Sequence, residues 1–495
     1  MIGKPKRREP KLFYQFDLDA MVPRDHLLRR IDQAVDFSFA RREVASLYGD
    51  RGNESVDPAV TLRLVLLLFL ENVPSQRALM RQLPLRLDWL WFCGFDIDEA
   101  DQLPDHSVLT KARKLWGRET FLRLFERVVG ACVQAGLVDG STIYADASVN
   151  AANASMDSLR THLRVRGGQM YDALEREESQ PVGAATPPAS PAPEMPAADP
   201  LQPAAAPQPD PEPDPMLGKP LSTTDPEARL TRKHGQTILG YKDHRVIDDR
   251  CGIITATLTT PADVDDGSML MQSVEEHERV SGGQTATVVA DKGYGHADNY
   301  RQLHERGLSS CIPHKQVRED PTKFRRSLFV FDQASNTYTC PAGQTLTARG
   351  GRYRAGPGVC RNCPLRSRCT DNKVHGRQLR RHPLQEEIDR ADRTFSREHR
   401  RRLLARRKTL VEGRFADAAN HHGYKRLRWR GLEGATIQHL LIATAQNLRK
   451  LARVLCRARR PRRRLRASGS IRRPVPRRLF AVRRELFRLP ARSRV

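Results

Sequence analysis

"TATVVADKGYGHADNY", residues 285–300, contains the juxtaposition on which the fold turns. Thr287, Val288, Val289 and Ala290 form an unbroken run of β-branched and small residues, the composition of a short buried strand. Asp291 and Lys292 follow at once, and then a Gly-Tyr-Gly turn. An aspartate at the tip of a core strand most often caps a turn. The other use is to deliver a carboxylate to a ligand.

The flanking sequence decides between these uses. "STIYADAS" (141–148) reads as a strand that ends on Asp146. "GYKDHRVIDD" (240–249) and "CGIITATLTT" (251–260) form a hairpin turning near Arg250. "SMLMQSVEEHERVSGG" is a helix with a glycine stop, "HADNYRQLHERG" is a second helix ending on Gly307, and "LSSCIPH" is a short strand. Further on, "SREHRRRLLARRKTLVEGRFADAANHH" predicts a long basic helix with a stripe of Leu404, Val411, Phe415 and Ala418. "ATIQHLLIATAQNLRKLARVL" predicts a final amphipathic helix. The order over 141–425 is strand, strand, strand, helix, strand, helix, strand, helix. That is the order of an RNase H-like α/β domain, a mixed five-stranded sheet with helices.

In such a sheet the first and fourth strands are neighbours and the last helix packs across them. Asp146, Asp291 and Glu412 therefore converge on one edge. Clustered carboxylates repel one another unless cations compensate them. Hard Mg²⁺ or Mn²⁺ ions take oxygen ligands, and two of them clamp the attacking and leaving oxygens of a phosphoryl displacement. Taken singly, each aspartate reads as a cap and Glu412 as a solvated ion-pair partner. The signal is that all three fall where one topology needs them.

Residues 1–135 read as an all-α N-terminal domain for DNA-end binding or dimerisation. "DPAVTLRLVLLLFLENV" is opened by Asp57 and Pro58, an N-cap with proline at the first helical position. "PSQRALMRQLP", "PDHSVLTKARKLWG" and "RETFLRLFERVVGACVQAG" give further helices. These form either a plain bundle or, for the "PSQRALMRQ" and "HSVLTKARK" pair, a helix-turn-helix. The catalytic domain would occupy 136–179 and 220–314, interrupted by a proline- and alanine-rich disordered linker at 180–219. A cysteine-bearing insertion (315–390) comes next. The glutamate helix and C-terminal helix (391–456) and a disordered arginine-rich tail (457–495) complete the chain. In that tail Glu485 is the sole acidic residue. Biased codon composition explains such a tail as readily as selection for binding does.

The 495 residues carry a formal net charge of +26, which points to nucleic acid as the partner. The longest apolar run, "LVLLLFL" at 64–70, is far short of the roughly 20 residues a bilayer span needs. No hydrophobic stretch follows the basic "MIGKPKRREPK" start, so no secretory signal is expected. A cytoplasmic location keeps thiols reduced, and nine cysteines, an odd number, argue against a disulfide framework. Cys340, Cys360, Cys363 and Cys369 in "YTCPAGQTL…GVCRNCPLRSRCT" fit a structural Zn²⁺, because the surroundings offer little apolar packing; four ordinary thiols are the alternative. Cys93, Cys132, Cys251, Cys311 and Cys456 read as core residues. Lys292, Arg407, Lys408, Lys425, Arg428 and Arg430 form a candidate DNA track, with Trp429 either stacking on a base or packing.

"YADASVNAANAS", "TTDPEARL", "GYKDHRVIDD", "VVADKGYG", "IPH", "CPAG", "RRKTLVEGRF" and "RGLEGATIQHLLIATAQNLRKLA" together resemble a bacterial insertion-sequence DDE transposase with a helical N-terminal transposase domain. The similarity covers roughly residues 10–455, apart from the proline-rich segment. It implies a metal-dependent recombinase that nicks element ends and joins the freed 3′-hydroxyl to target DNA. Asp146, Asp291 and Glu412 would be its acidic triad. The implied partners are terminal inverted repeats and target DNA, met as a homo-oligomer at the nucleoid. Two other readings stay open: a transposase-derived DNA-binding protein that no longer cuts, and an RNase H-like nuclease without strand transfer. One departure stands out, since the lysine such proteins carry seven residues after the glutamate is Ala419 here.

Overall fold

Asp57 and Pro58 start a helix where the sequence places one, and the Asp57 carboxylate accepts from the Ala59 amide at 2.9 Å. The computed structural model describes residues 16–49, 51, 54–99, 102–161, 219–233, 235–314, 320–372 and 376–459. The N-terminal helices are α1 (Leu18–Met21), α2 (Leu27–Ala34), α3 (Phe39–Val44), α4 (Pro58–Leu70), α5 (Gln76–Gln82), α6 (Leu87–Cys93) and α7 (His106–Gln134). The span α7 contains the two helices expected on either side of residue 117, which meet at a kink at Gly117. Gly117 sits at φ 61°, ψ −174°, a backbone region that only glycine visits freely. Helix α6 separates α5 from α7, so the two segments weighed as a helix-turn-helix are not consecutive helices.

Ten strands and helices of the α/β region follow; the seven expected ones stand in the expected order, and three short strands between the first and second of them are additional. The ten are β1 (Thr142–Ala151), β2 (Leu159–Thr161), β3 (Pro220–Ser222), β4 (Arg229–Lys233), β5 (Gln236–Asp248), β6 (Ile254–Pro261), α8 (Leu270–Ser281), β7 (Thr287–Ala290), α9 (Ala297–Glu305) and β8 (Ser309–Cys311). The main sheet runs β6-β5-β1-β7-β8, with β4 added to the early part of β5. β1 is antiparallel to β5 and parallel to β7, which is parallel to β8. Alternation splits the strands between two cores. Ile143, Ala145, Val288 and Ala290 meet Leu270, Val274 and Leu303 of α8 and α9. Tyr144, Val289 and Ile247 face the other way, into the core they share with the N-terminal helices. β2 and β3 pair Leu159 with Ser222, which brings together the two ends flanking the proline- and alanine-rich stretch. That stretch lies outside the described residues, as does the arginine-rich tail from residue 460.

The cysteine-bearing segment has more structure than expected. β9 (Val330–Asp332), β10 (Thr337–Thr339), β11 (Thr345–Arg349) and β12 (Arg352–Arg354) make an antiparallel meander, followed by the short α10 (Arg366–Cys369). The meander has its own core of Phe329, Tyr338, Leu346, Tyr353 and Leu379. Tyr338 lies 4.9 Å from both Phe331 and Tyr353, ring to ring, and the Arg381 guanidinium sits 3.7 Å over Phe331. The premise of scarce apolar packing is thereby corrected: aromatic rings spaced by the strand period supply it.

Helices α11 (Gln385–Thr394), α12 (Arg397–His421) and α13 (Gly431–Arg459) complete the described chain. Helix α12 lies across β1, β7 and β8, with Val411 and Ala418 buried. Helix α13 is not amphipathic in place. It packs on α7, α2, α4 and β6, and from Ile437 to Leu448 every residue is buried. Its polar residues are bonded inward; Asn447, for example, takes the Ile254 amide at 3.0 Å and donates to the Ile254 carbonyl at 2.7 Å. The chain beyond α12 also terminates α4. At that helix end the Leu68, Phe69 and Leu70 carbonyls accept from Arg428, His422 and Arg449, Leu68 in addition to the Val73 amide. One continuous core thus joins Leu28, Leu62 and Phe121 to Tyr144, Val411 and Ile442. No described helix is long and apolar enough to cross a membrane.

Candidate acidic site

The parallel register of β1 and β7 pairs Ala145 with Ala290, so Asp146 and Asp291 leave adjacent strands at the same height. Asp291 closes β7, and one carboxylate oxygen accepts the Gly293 amide at 2.7 Å, capping the following turn. Asp291 therefore caps a turn, and it also stands beside a second carboxylate. Asp146 corrects an expectation. It does not end its strand, because β1 stays paired with β5 as far as Ala151; Asp146 marks only the end of the pairing with β7.

Burial, reinforced by the nearby Asp291 and Asp266 carboxylates, pushes the Asp146 carboxyl up to about 6. Two contacts hold it down: the Ala147 amide on Oδ1 and an Arg407 Nη2 on Oδ2, each at 2.8 Å. Arg407 comes from α12 and was expected on an exposed track. Its side chain is instead only 15% exposed and aimed at Asp146. Glu412 follows five residues later, about 140° around the same helix, and is exposed. The structure thus brings Asp146 and Asp291 together and presents Arg407, not Glu412, to them. Among the described residues no group of three or more acidic, histidine or cysteine side chains is arranged to hold a metal ion.

The two aspartates have neighbours that the sequence did not reveal. Asp266 forms an ion pair with Lys242 at 2.9 Å, in the turn after β6. Asn299 donates to the Gly267 and Tyr294 carbonyls at 2.8 and 2.9 Å, tying that turn to the one after Asp291. The available signal was the acidic run Asp263, Asp265, Asp266, which follows a predicted strand toward the same edge.

Of the other expected DNA contacts, Lys292, Lys408, Lys425 and Arg430 are exposed. Arg428 is not available as expected. It sits 4.5 Å over the Phe69 ring, bonds the Leu68 carbonyl, and is lowered to about 10 by burial. Trp429 packs between Phe69 and the Arg113 guanidinium. Cys340, Cys360, Cys363 and Cys369 line one small cavity, and the Gln344 amide donates to the Cys340 sulfur at 3.3 Å. Burial raises the Cys369 thiol, and the other three cysteines add to the rise. Cys93, Cys132 and Cys311 are buried core residues and Cys251 is partly buried; the side chain of Cys456 is not described.

Residues 16–115 match a family model described as a transposase domain (DUF772), and residues 339–452 match one described as a transposase DDE domain. The second match takes in the four cysteines, Glu412 and most of α13, but neither aspartate. No curated protein matches the chain significantly.

Proposed function

We propose, from the premise that this chain is a DDE transposase with a transposase domain near its N-terminus and a DDE domain near its C-terminus, that it cuts DNA at insertion-sequence ends and joins them to target DNA. The observation that carries this reading is the Ala145–Ala290 register, which sets two carboxylates side by side beneath a basic helix. The strand order, three antiparallel strands and then two parallel ones flanked by helices, supports an RNase H-like catalytic fold.

Paired oxygen donors, one of them partly buried and paired with a guanidinium, suit a hard divalent cation in charge and donor type. Asp146 and Asp291 would hold Mg²⁺ or Mn²⁺, with Glu412 as the third ligand from α12. When bound, two such ions supply charge stabilisation for the attacking and leaving oxygens of phosphoryl transfer. The chain's own residues do the rest. Asn299 fixes the turn that carries Asp291, and Asp146 is set by its pairing with Arg245 of β5, just past the last β1–β7 pair. Lys292, Lys408, Lys425 and Arg430 are exposed to meet phosphates of terminal inverted repeats and target. Assembly as a homo-oligomer on DNA, at the nucleoid, belongs to the same proposal.

Asp146→Asn, Asp291→Asn and Glu412→Gln should each abolish cleavage of a paired-end substrate carrying the element's own terminal repeats, with DNA affinity retained. Wild-type cleavage by any one of them removes that residue from the site. The outward position of Glu412 favours one rival, a descendant that binds ends without cutting. Absence of cleavage by the unaltered protein in Mg²⁺ or Mn²⁺ would establish that rival. Hydrolysis without joining would identify a nuclease instead.

The cavity lined by Cys340, Cys360, Cys363 and Cys369 has the donor chemistry for a structural Zn²⁺, although the thiols are not drawn around one centre. We include zinc there in the proposal. Protein purified without chelators should contain about one zinc per chain, and a Cys363→Ser, Cys369→Ser variant none. Zinc-free wild-type protein would leave the aromatic core alone to hold the meander.

A further inference from the structure

On the reading that Asp146 and Asp291 bind divalent metal, we infer that Arg407 is that metal's competitor: an internal cation that occupies Asp146 in the unloaded protein and has to leave for the metal to enter. The evidence is in how Arg407 is held. Its Nη2 touches Asp146 Oδ2 at 2.8 Å, while its Nε is buried with no hydrogen-bond partner. A guanidinium that serves as a permanent brace uses its fork. Arg406, one residue earlier, does so: its Nε and Nη2 bind Asp249 Oδ1 and the Asp249 carbonyl, both at 2.9 Å. Arg245 likewise uses Nε on Asp243 and Nη1 on Gln446. Arg407 alone of these three has a single hydrogen bond; Arg245 also leaves a buried donor, Nη2, unanswered, but it is held by two side chains.

Its surroundings complete the case. Val411, one turn along, is buried and fixes the helix backbone, so the base of the arm is anchored. The neighbouring acid Asp266 has its own cation in Lys242, which leaves Arg407 as the positive charge directly on Asp146. A divalent ion and a guanidinium cannot share Oδ2 in contact, because like charges at that distance repel strongly. The ~140° between Arg407 and Glu412 adds that α12, as placed, offers Asp146 the arginine rather than the glutamate. Arg407 is thus a positioning residue, keeping Asp146 charge-compensated until metal arrives.

The experiment is Mn²⁺ binding to the full chain, measured by isothermal titration calorimetry and electron paramagnetic resonance without DNA, for wild type, Arg407→Gln, Arg407→Lys and Asp146→Asn. Circular dichroism checks that each variant is folded. The expected result is Mn²⁺ binding about five- to tenfold tighter in Arg407→Gln, near wild type in Arg407→Lys, and lost in Asp146→Asn. An arginine that merely braced the site would act in the opposite direction, and its loss would loosen Asp146 and weaken Mn²⁺ binding. Equal or weaker binding in a folded Arg407→Gln variant therefore overturns the inference while the metal site stands. Mn²⁺ binding that survives Asp146→Asn overturns the site reading beneath it, and the inference with it.

Discussion

Asp146→Asn should make the metal-free protein more stable, and only above the pH at which the aspartate ionises. The carboxyl is pushed from 3.8 up to about 6, first by burial and then by Asp291 and Asp266. A rise of that size disfavours the ionised form in the folded state by about 3 kcal/mol at neutral pH. Because the folded value lies above the unfolded one, the stability associated with the protonated carboxyl is full below pH 3.8 and is lost as pH rises through about 6. Asparagine keeps the shape but has one acceptor oxygen, so it retains only one of the Ala147 and Arg407 bonds, and the loss of the other together with the charge assistance returns about 1–2 kcal/mol. The net expectation is a gain of roughly 1–2 kcal/mol at pH 7.5 and none at pH 4, or about 1–3 °C in a chain of this size. The assay is the thermal midpoint of both proteins in chelator-containing buffer across pH 4 to 8. A variant that is less stable at pH 7.5, or whose advantage does not fade between pH 6 and 4, refutes the claim that Asp146 is held against its own ionisation.

Two further outcomes test the frame and the DNA face. Asn447→Asp keeps the outline of a fully buried side chain but removes the donor to the Ile254 carbonyl and adds a charge, so it should cost about 3 kcal/mol or more; a thermal midpoint within 1 °C of wild type would contradict that account. Ala419 lies two turns from Glu412 on one side of α12, so Ala419→Lys should tighten binding to terminal-repeat duplex and steepen the salt dependence by about one counterion. Fluorescence anisotropy at several salt concentrations reads both, and an unchanged slope means that this side of α12 does not meet phosphate.

The order of elements and the positions of the two aspartates were readable because both rest on local signals. β-branched runs, glycine stops and the Asp57–Pro58 start each act within a few residues, and the expected helices and strands stand where those signals place them. The neighbouring of β1 and β7 followed from the element order, and the register then set Asp146 beside Asp291. What pairing beyond a strand's visible end decides was not readable. "YADAS" gives no sign that β1 continues to Ala151, because β5 supplies those hydrogen bonds from about a hundred residues away in sequence.

The same holds for every cation that the sequence placed on DNA and the fold placed inside. Arg428 and Arg407 stand among other arginines with nothing local to distinguish them. Only tertiary packing sets one against the open carbonyl end of α4 and the other against Asp146. Helix α13 makes the point most fully. Its Gln438, His439, Gln446 and Asn447 belong to a segment that reads as amphipathic, yet they lie in the interior, answering backbone and side-chain groups of α12, β6 and their neighbours. A polar residue on a helix belongs to solvent or to a buried partner according to what the rest of the chain brings beside it. Periodicity along one helix carries no information about that partner, which only the folded chain supplies.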